Sequence, residues 1–217
     1  MNPGVVSNII MIVFVILLST GWGEKTLRDG RLSHVLAACG LIVYLAASEV
    51  TFTGPFDVRW NLGCTLMTIV LTGWTLSVFD SWSHRLQYVL GVLTVSCALL
   101  VLMTLVPLDP AFFVLNGDLL YPLMALVISV VSVKRPFVAF SIAWVGLMIA
   151  ASIDPLLHRT FDLGVTIFGS GETRDLLAVA GAGVLVAHGL YHATVSYLQN
   201  IVKGLRERRS KGGPEHA

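Results

Sequence analysis

His188 and His192 stand four residues apart inside a long apolar stretch, Leu176–Tyr197, so a helix there brings both imidazoles to one face. Imidazole titrates near neutral pH, and an ionisable group at that depth is a candidate for proton or substrate handling. Neutral histidines bonded between helices are the alternative. The same spacing holds a metal in HExxH helices, but Gly189, Leu190 and Tyr191 fill the gap here and the glutamate base is missing. No metal and no cofactor is expected. A second constellation is polar: Asn61, Thr65, Thr68, Thr72 and Thr75 recur at steps of four, three, four and three, which is one face of a helix. Such a stripe fits a packing seam between helices, or a hydrophilic path for a solute. Glu49 is the third candidate, a carboxylate inside an apolar run. Pairing with Arg59, with Asp57 and Asp154 close by, would hold its charge there; a cation site is the alternative. Asp80 and His84 read as a solvated pair at a helix end.

Other chemistries lack their residues. No lysine falls in the apolar runs, which removes a retinal Schiff base, and there is no GxSxG, HExxH, intramembrane aspartate pair or Walker-type loop. Catalysis is not expected. Cys39, Cys64 and Cys97 each stand alone in an apolar run, without CxxC or Cys/His grouping, and read as buried free thiols.

The elements that must position these residues follow from composition. The chain has 217 residues, 55% hydrophobic and 12% charged, with mean hydropathy +0.81. A soluble domain carries about twice that charged fraction and leaves much of its surface in water. A net charge of +1 offers no field to attract nucleic acid. A bilayer accommodates so apolar a chain, and a spanning helix needs about 20 apolar residues. Seven runs meet or approach that length: 5–22, 34–52, 60–79, 86–105, 119–133, 137–153 and 176–197. They are continuous rather than alternating, so the expected class is all-α, a polytopic transmembrane bundle of seven spans. Residues 1–202 form this single domain and 203–217 a basic cytoplasmic tail. The fifth and sixth runs are short and separated by Lys134-Arg135-Pro136, which reads as a turn at the membrane surface. The first run has no basic residues ahead of it and reads as a retained helix, not a cleaved signal.

Basic residues set the sidedness. Lys25, Arg28, Arg31, Arg85, Lys134, Arg135 and five more in the tail (Lys203, Arg206, Arg208, Arg209, Lys211) fall on one side, against Arg59, Arg159 and Arg174 on the other. Eleven against three places the tail in the cytoplasm and the N-terminus outside; losing the short fifth and sixth spans would leave five and the same tail. Eight of the thirteen acids lie on the outer side, so that face is net negative. Trp22, Trp60, Trp82, Tyr88, Tyr121 and Tyr197 fall near run ends, as an interfacial belt does. Two outer connections are long: Pro107–Asp118, whose Ala111–Leu115 is apolar enough to lie in the interface, and Asp154–Asp175, where Gly164–Phe168 reads as a short strand before a Gly169-Ser170-Gly171 turn. Gly181, Gly183, Ala187 and Gly189 imply tight packing of the last helix. The tail is placed to contact anionic lipid.

Trp22 followed by Glu24-Lys25 and Arg28, together with Pro55-Phe56-Asp57-Val58-Arg59-Trp60-Asn61-Leu62-Gly63 opening the third helix, resembles the YphA-like family, small membrane proteins of spore-forming Gram-positive bacteria. The resemblance covers length and span layout. It implies a bacterial cytoplasmic membrane and no particular activity. The expected function is non-catalytic, through membrane-protein partners or a homo-oligomer within the lipid bilayer. The alternative is a small-solute or proton-coupled transporter with a polar path along the third and seventh helices.

Overall fold

The computed structural model describes residues 3–21, 23–53, 59–106, 117–158 and 167–211. Helices α1 (Val5–Ser19), α3 (His34–Ala47), α4 (Leu62–Val78), α5 (Trp82–Leu105), α6 (Gly117–Ser132), α7 (Pro136–His158) and α8 (Gly171–Lys211) occupy the seven apolar runs, and a short α2 (Glu24–Asp29) lies between α1 and α3. Trp22, Asp57, Ala111–Leu115, Gly164–Thr166 and the end of the tail lie outside the described residues, as does the side chain of His192.

Local chemistry explains most boundaries. Ser33 caps α3 by accepting from Leu36 N at 3.2 Å, and Asn61 caps α4 by accepting from Cys64 N at 3.0 Å. Pro136 opens α7, where its missing N–H costs nothing. The helix of the second run stops at Ala47, earlier than its hydropathy suggests. Val50, Thr51 and Thr53 are β-branched, and Thr51–Thr53 forms strand β1 instead. β1 pairs antiparallel with β2 (Arg59–Asn61), and β2 pairs parallel with β3 (Ile167–Phe168). The rings of Trp60 and Phe168 meet edge to face at 4.5 Å across that sheet. Gly169, at φ 72, turns the chain from β3 towards α8.

Trp82–Leu105, Pro136–Leu157 and Gly171–Val195 are long and apolar enough to cross a membrane. The other four apolar helices have 14–17 residues, about 20–25 Å at 1.5 Å per residue, short of the roughly 30 Å hydrocarbon core. Ile9, Ile12, Ile16, Ile42, Val43, Ile69 and Val131 are exposed on these shorter helices, an apolar outer surface suited to lipid.

The helices form two groups that share α7 and α8. On one side α5, α6, α7 and α8 pack densely. Gly91 and Gly146 let α5 and α7 approach so closely that an added Cβ would meet Ile142 at 2.9 Å and Val95 at 2.7 Å. Ser96 Oγ donates to Gly146 O across the seam at 3.0 Å. Ala139, Ile142, Ala143, Trp144, Leu147 and Ala150 of α7 are wholly buried, so one of the two short runs forms the centre of the bundle. On the other side α1 packs on α3 and α8, α3 on α4, α4 on α7, and α7 on α8, a ring of five.

Both ends of the bundle are tied. At one end, hereafter the sheet end, Gly4 N and Ser7 N at the start of α1 donate to Asp175 near the start of α8. At the other, the arginine end, Trp74 Nε1 of α4 donates to Gly30 O at 2.8 Å and Gln87 Nε2 of α5 donates to Ser132 O of α6 at 3.2 Å. The arginine end thus gathers α2 and the α4–α5 and α6–α7 turns, which carry Lys25, Arg28, Arg31, Arg85, Lys134 and Arg135.

Candidate functional site

At the sheet end the helix termini leave polar groups that side chains satisfy. Ser48 O, at the end of α3, accepts from Asn61 Nδ2 at 2.7 Å and from Arg174 Nη1 at 3.3 Å. The same Arg174 nitrogen lies 3.6 Å from Glu49 Oε1, the arginine side chain being 11% exposed and the glutamate 71%. Glu49 therefore pairs with an arginine of the last helix, not with Arg59, whose strand turns it outward. Largely solvated, its carboxylate contributes little stability. Asp175 accepts from Gly4 N at 2.9 Å and from Ser7 N at 2.6 Å, capping the start of α1 from another helix. Arg174 and Asp175 were not singled out in the sequence. Acidic residues in the first turn of a helix are commonplace, and nothing local marks this one as the cap of a helix 170 residues earlier. Glu49 and Asn61 are brought together here, as parts of a structural clamp.

The threonine stripe of α4 runs away from this clamp. Thr65 donates to Asn61 O, Thr68 to Cys64 O and Thr72 to Thr68 O, each at 2.7–2.8 Å, so these hydroxyls are used within their own helix. Thr75 donates to Ser141 Oγ of α7 at 3.0 Å, and the hydroxyls of Tyr88 and Ser141 are also 3.0 Å apart. This buried trio joins α4, α5 and α7. His188 is buried on α8 with Nδ1 3.1 Å from Val184 O. Thirteen residues separate it from Asp175, about 20 Å along the helix, so it does not join the Glu49 and Asn61 group.

The ring of five helices encloses something else: a partly open cavity of about 750 Å³. From α4 it is lined by Leu66, Met67, Val70, Leu71 and Trp74, a different face from the threonines. From α8 it is lined by Ala178, Ala182, Leu185 and Gly189, with His188 turned elsewhere. Tyr44 and Phe140 form the wall towards Trp144, whose indole lies 5.6 Å and 5.9 Å from their rings. Gly181 and Gly183 do pack tightly, since an added Cβ would meet Phe140 at 2.6 Å and Leu126 at 2.5 Å, whereas Gly189 faces open space. No sequence reading located this cavity, because its lining is the apolar residue type found everywhere on these helices.

A family model for YphA-like integral membrane proteins matches residues 29–211. The chain belongs to that family. Neither curated proteins nor solved structures offer a match. As a YphA-like protein it is integral to a membrane, so its apolar outer belt contacts the bilayer. The matched residues of this YphA-like chain include α3 to α8, four of the five ring helices, and the family description names a location without an activity.

Proposed function

We propose that this protein crosses the bacterial cytoplasmic membrane seven times, N-terminus outside and C-terminus inside, and works without catalysis by binding a lipid chain within the bilayer. The observation that carries the reading is the apolar cavity of about 750 Å³ inside the ring of α1, α3, α4, α7 and α8. That volume falls in the range of small-ligand sites. A partner helix is about 10 Å across, so such a volume would take only about 10 Å of it. The lining runs from Gly63 to Trp74 on α4 and from Ala178 to Leu190 on α8, about 16–18 Å, close to the roughly 15 Å of one leaflet. One acyl chain suits both the shape and the lining.

The orientation is supported by the basic connections lying together at one end, with the tail carried on α8. A cysteine tag after Ala217 is expected to stay unlabelled by a membrane-impermeant maleimide in intact cells and to label after lysis. Labelling in intact cells would reverse the topology. The binding reading is tested at Gly40 and Gly189, which line the cavity and have nothing within 4 Å of an added Cβ. Gly40→Leu with Gly189→Leu adds bulk at two positions where a Cβ meets nothing, and removes two glycines from helix interiors, each removal stabilising by roughly 0.5–1 kcal/mol. Phospholipid co-purifying with the protein in mild detergent, counted by native mass spectrometry, is expected to fall severalfold. Equal lipid in a folded variant would overturn the reading. The transport alternative draws on buried His188, but the self-bonded hydroxyls of Thr65, Thr68 and Thr72 favour a packing seam on α4.

A further inference from the structure

At the arginine end a second pocket, about 460 Å³, is lined by Arg28, Arg31, Phe79, Asp80, His84 and Arg135. Three sequence steps join it to the apolar cavity. Leu27 lines the cavity and Arg28 the pocket; Trp74 and Val78, one turn apart on α4, do the same; so do Phe137 and Arg135 at the start of α7. We propose that this pocket binds the phosphate of an anionic phospholipid from the adjoining leaflet while its acyl chain occupies the cavity. The inference rests on the chain-holding reading above and adds the class of lipid.

Charge and geometry carry it. Among the described residues, three guanidinium groups and one carboxylate line the pocket, and the forked donors match phosphate oxygens. Arg28 lies 4.0 Å from Glu24 and Arg31 3.2 Å from Asp80, with side chains 84% and 63% exposed. Such solvated pairs are weak and yield readily to a phosphate. No ion pair to Arg135 is found among the described residues. Arg31 holds φ 54, the left-handed region where a bulky side chain is strained, and strain of this kind gathers at ligand clamps. The Trp74 Nε1 bond to Gly30 O ties this turn to the cavity wall, which Trp74, Leu27 and Leu32 line. Asp80 repels a second negative charge, which favours the singly charged phosphodiester of a diacyl lipid over a dianionic phosphate monoester.

The test compares the full chain, purified and exchanged into vesicles of phosphatidylglycerol mixed equally with phosphatidylcholine, with Arg31→Gly/Arg135→Gln and Gly40→Leu/Gly189→Leu variants, counting retained lipid by class. Glycine relieves the strain at residue 31, so the first variant is expected to stay folded. Arg135→Gln alone serves as a second variant that leaves the turn untouched. The wild type is expected to retain phosphatidylglycerol preferentially, and the double arginine variant to lose roughly tenfold to thirtyfold of that preference while still holding a chain. An unchanged preference in both arginine variants would overturn the headgroup site and leave the cavity reading standing. Lipid retained equally by the glycine double variant would overturn the cavity reading. Complete displacement of the lipid by millimolar inorganic phosphate would reassign the pocket to a small anion and overturn the proposal.

Discussion

Asp175→Ala is expected to destabilise the bundle by about 3 kcal/mol, since hydrogen bonds to a charged acceptor are worth roughly 1.5–3 kcal/mol and two are lost. Its carboxylate is the cap of α1, which has none of its own. Gly4 occupies the N-cap position at φ 91 with no side chain to offer, and Ser7, wholly buried, spends its hydroxyl on Gly4 O at 2.9 Å. Without Asp175 the amides of Gly4 and Ser7 lose their acceptor, and the positive end of the α1 dipole loses its countercharge. Asp175→Asn keeps an amide oxygen and is expected to recover about half the loss. Unfolding by SDS titration in mixed micelles measures both. Because α1 closes one side of the cavity, proteolysis within α1 in detergent is expected to rise in parallel. An alanine variant as stable as wild type would mean that water caps α1 equally well.

The second large effect is expected at Gly63. A Cβ there would lie 2.8 Å from Ser48 N, 2.8 Å from Tyr44 O and 2.9 Å from Ser48 Cα. All three are backbone atoms of the α3 end, which no side-chain rotation can move aside. Overpacking costs about 1–3 kcal/mol where side chains can yield, so Gly63→Ala is expected at the upper part of that range and Gly63→Leu beyond it. Parting α3 from α4 would also stretch the Asn61 Nδ2 bond to Ser48 O and the contact of Arg174 with it, so the loss should exceed the clash alone. Gly73 on the same helix is the control. Nothing lies within 4 Å of its added Cβ, and Gly73→Ala is expected to stabilise by roughly 0.5–1 kcal/mol. The same titration reads both, and equal behaviour of the two glycines would refute the close α3–α4 approach.

These pairs of residues mark where sequence reading stops. Gly63 and Gly73 are identical letters ten positions apart, and Gly183 and Gly189 lie on one helix that composition alone marks as tightly packed throughout. Only the neighbouring helix separates a glycine pressed against another chain segment from one with open space beside it. The threonine stripe was legible as one face of α4, but the face alone does not say what lies opposite. It turned out to meet Ser141 of α7 at Thr75 and its own carbonyls elsewhere, while the cavity took the opposite, apolar side. Glu49 was recognised as needing a cation, yet chain proximity suggested Arg59 where the fold supplies Arg174, 125 positions on.

What the chain determined by itself is its relation to its solvent. The apolar runs make the chain a helical protein of the membrane, because an unsatisfied backbone in that medium costs several kcal/mol per group whatever the neighbours are. The spacing of Lys and Arg separates the two ends, and the fold gathers those connections at one of them. What only the tertiary structure decided is which apolar face meets protein, which meets lipid and which is left empty. Lipid tails and leucine side chains are equally apolar, so hydropathy carries no signal that tells a helix contact from a lipid contact or from the wall of a cavity.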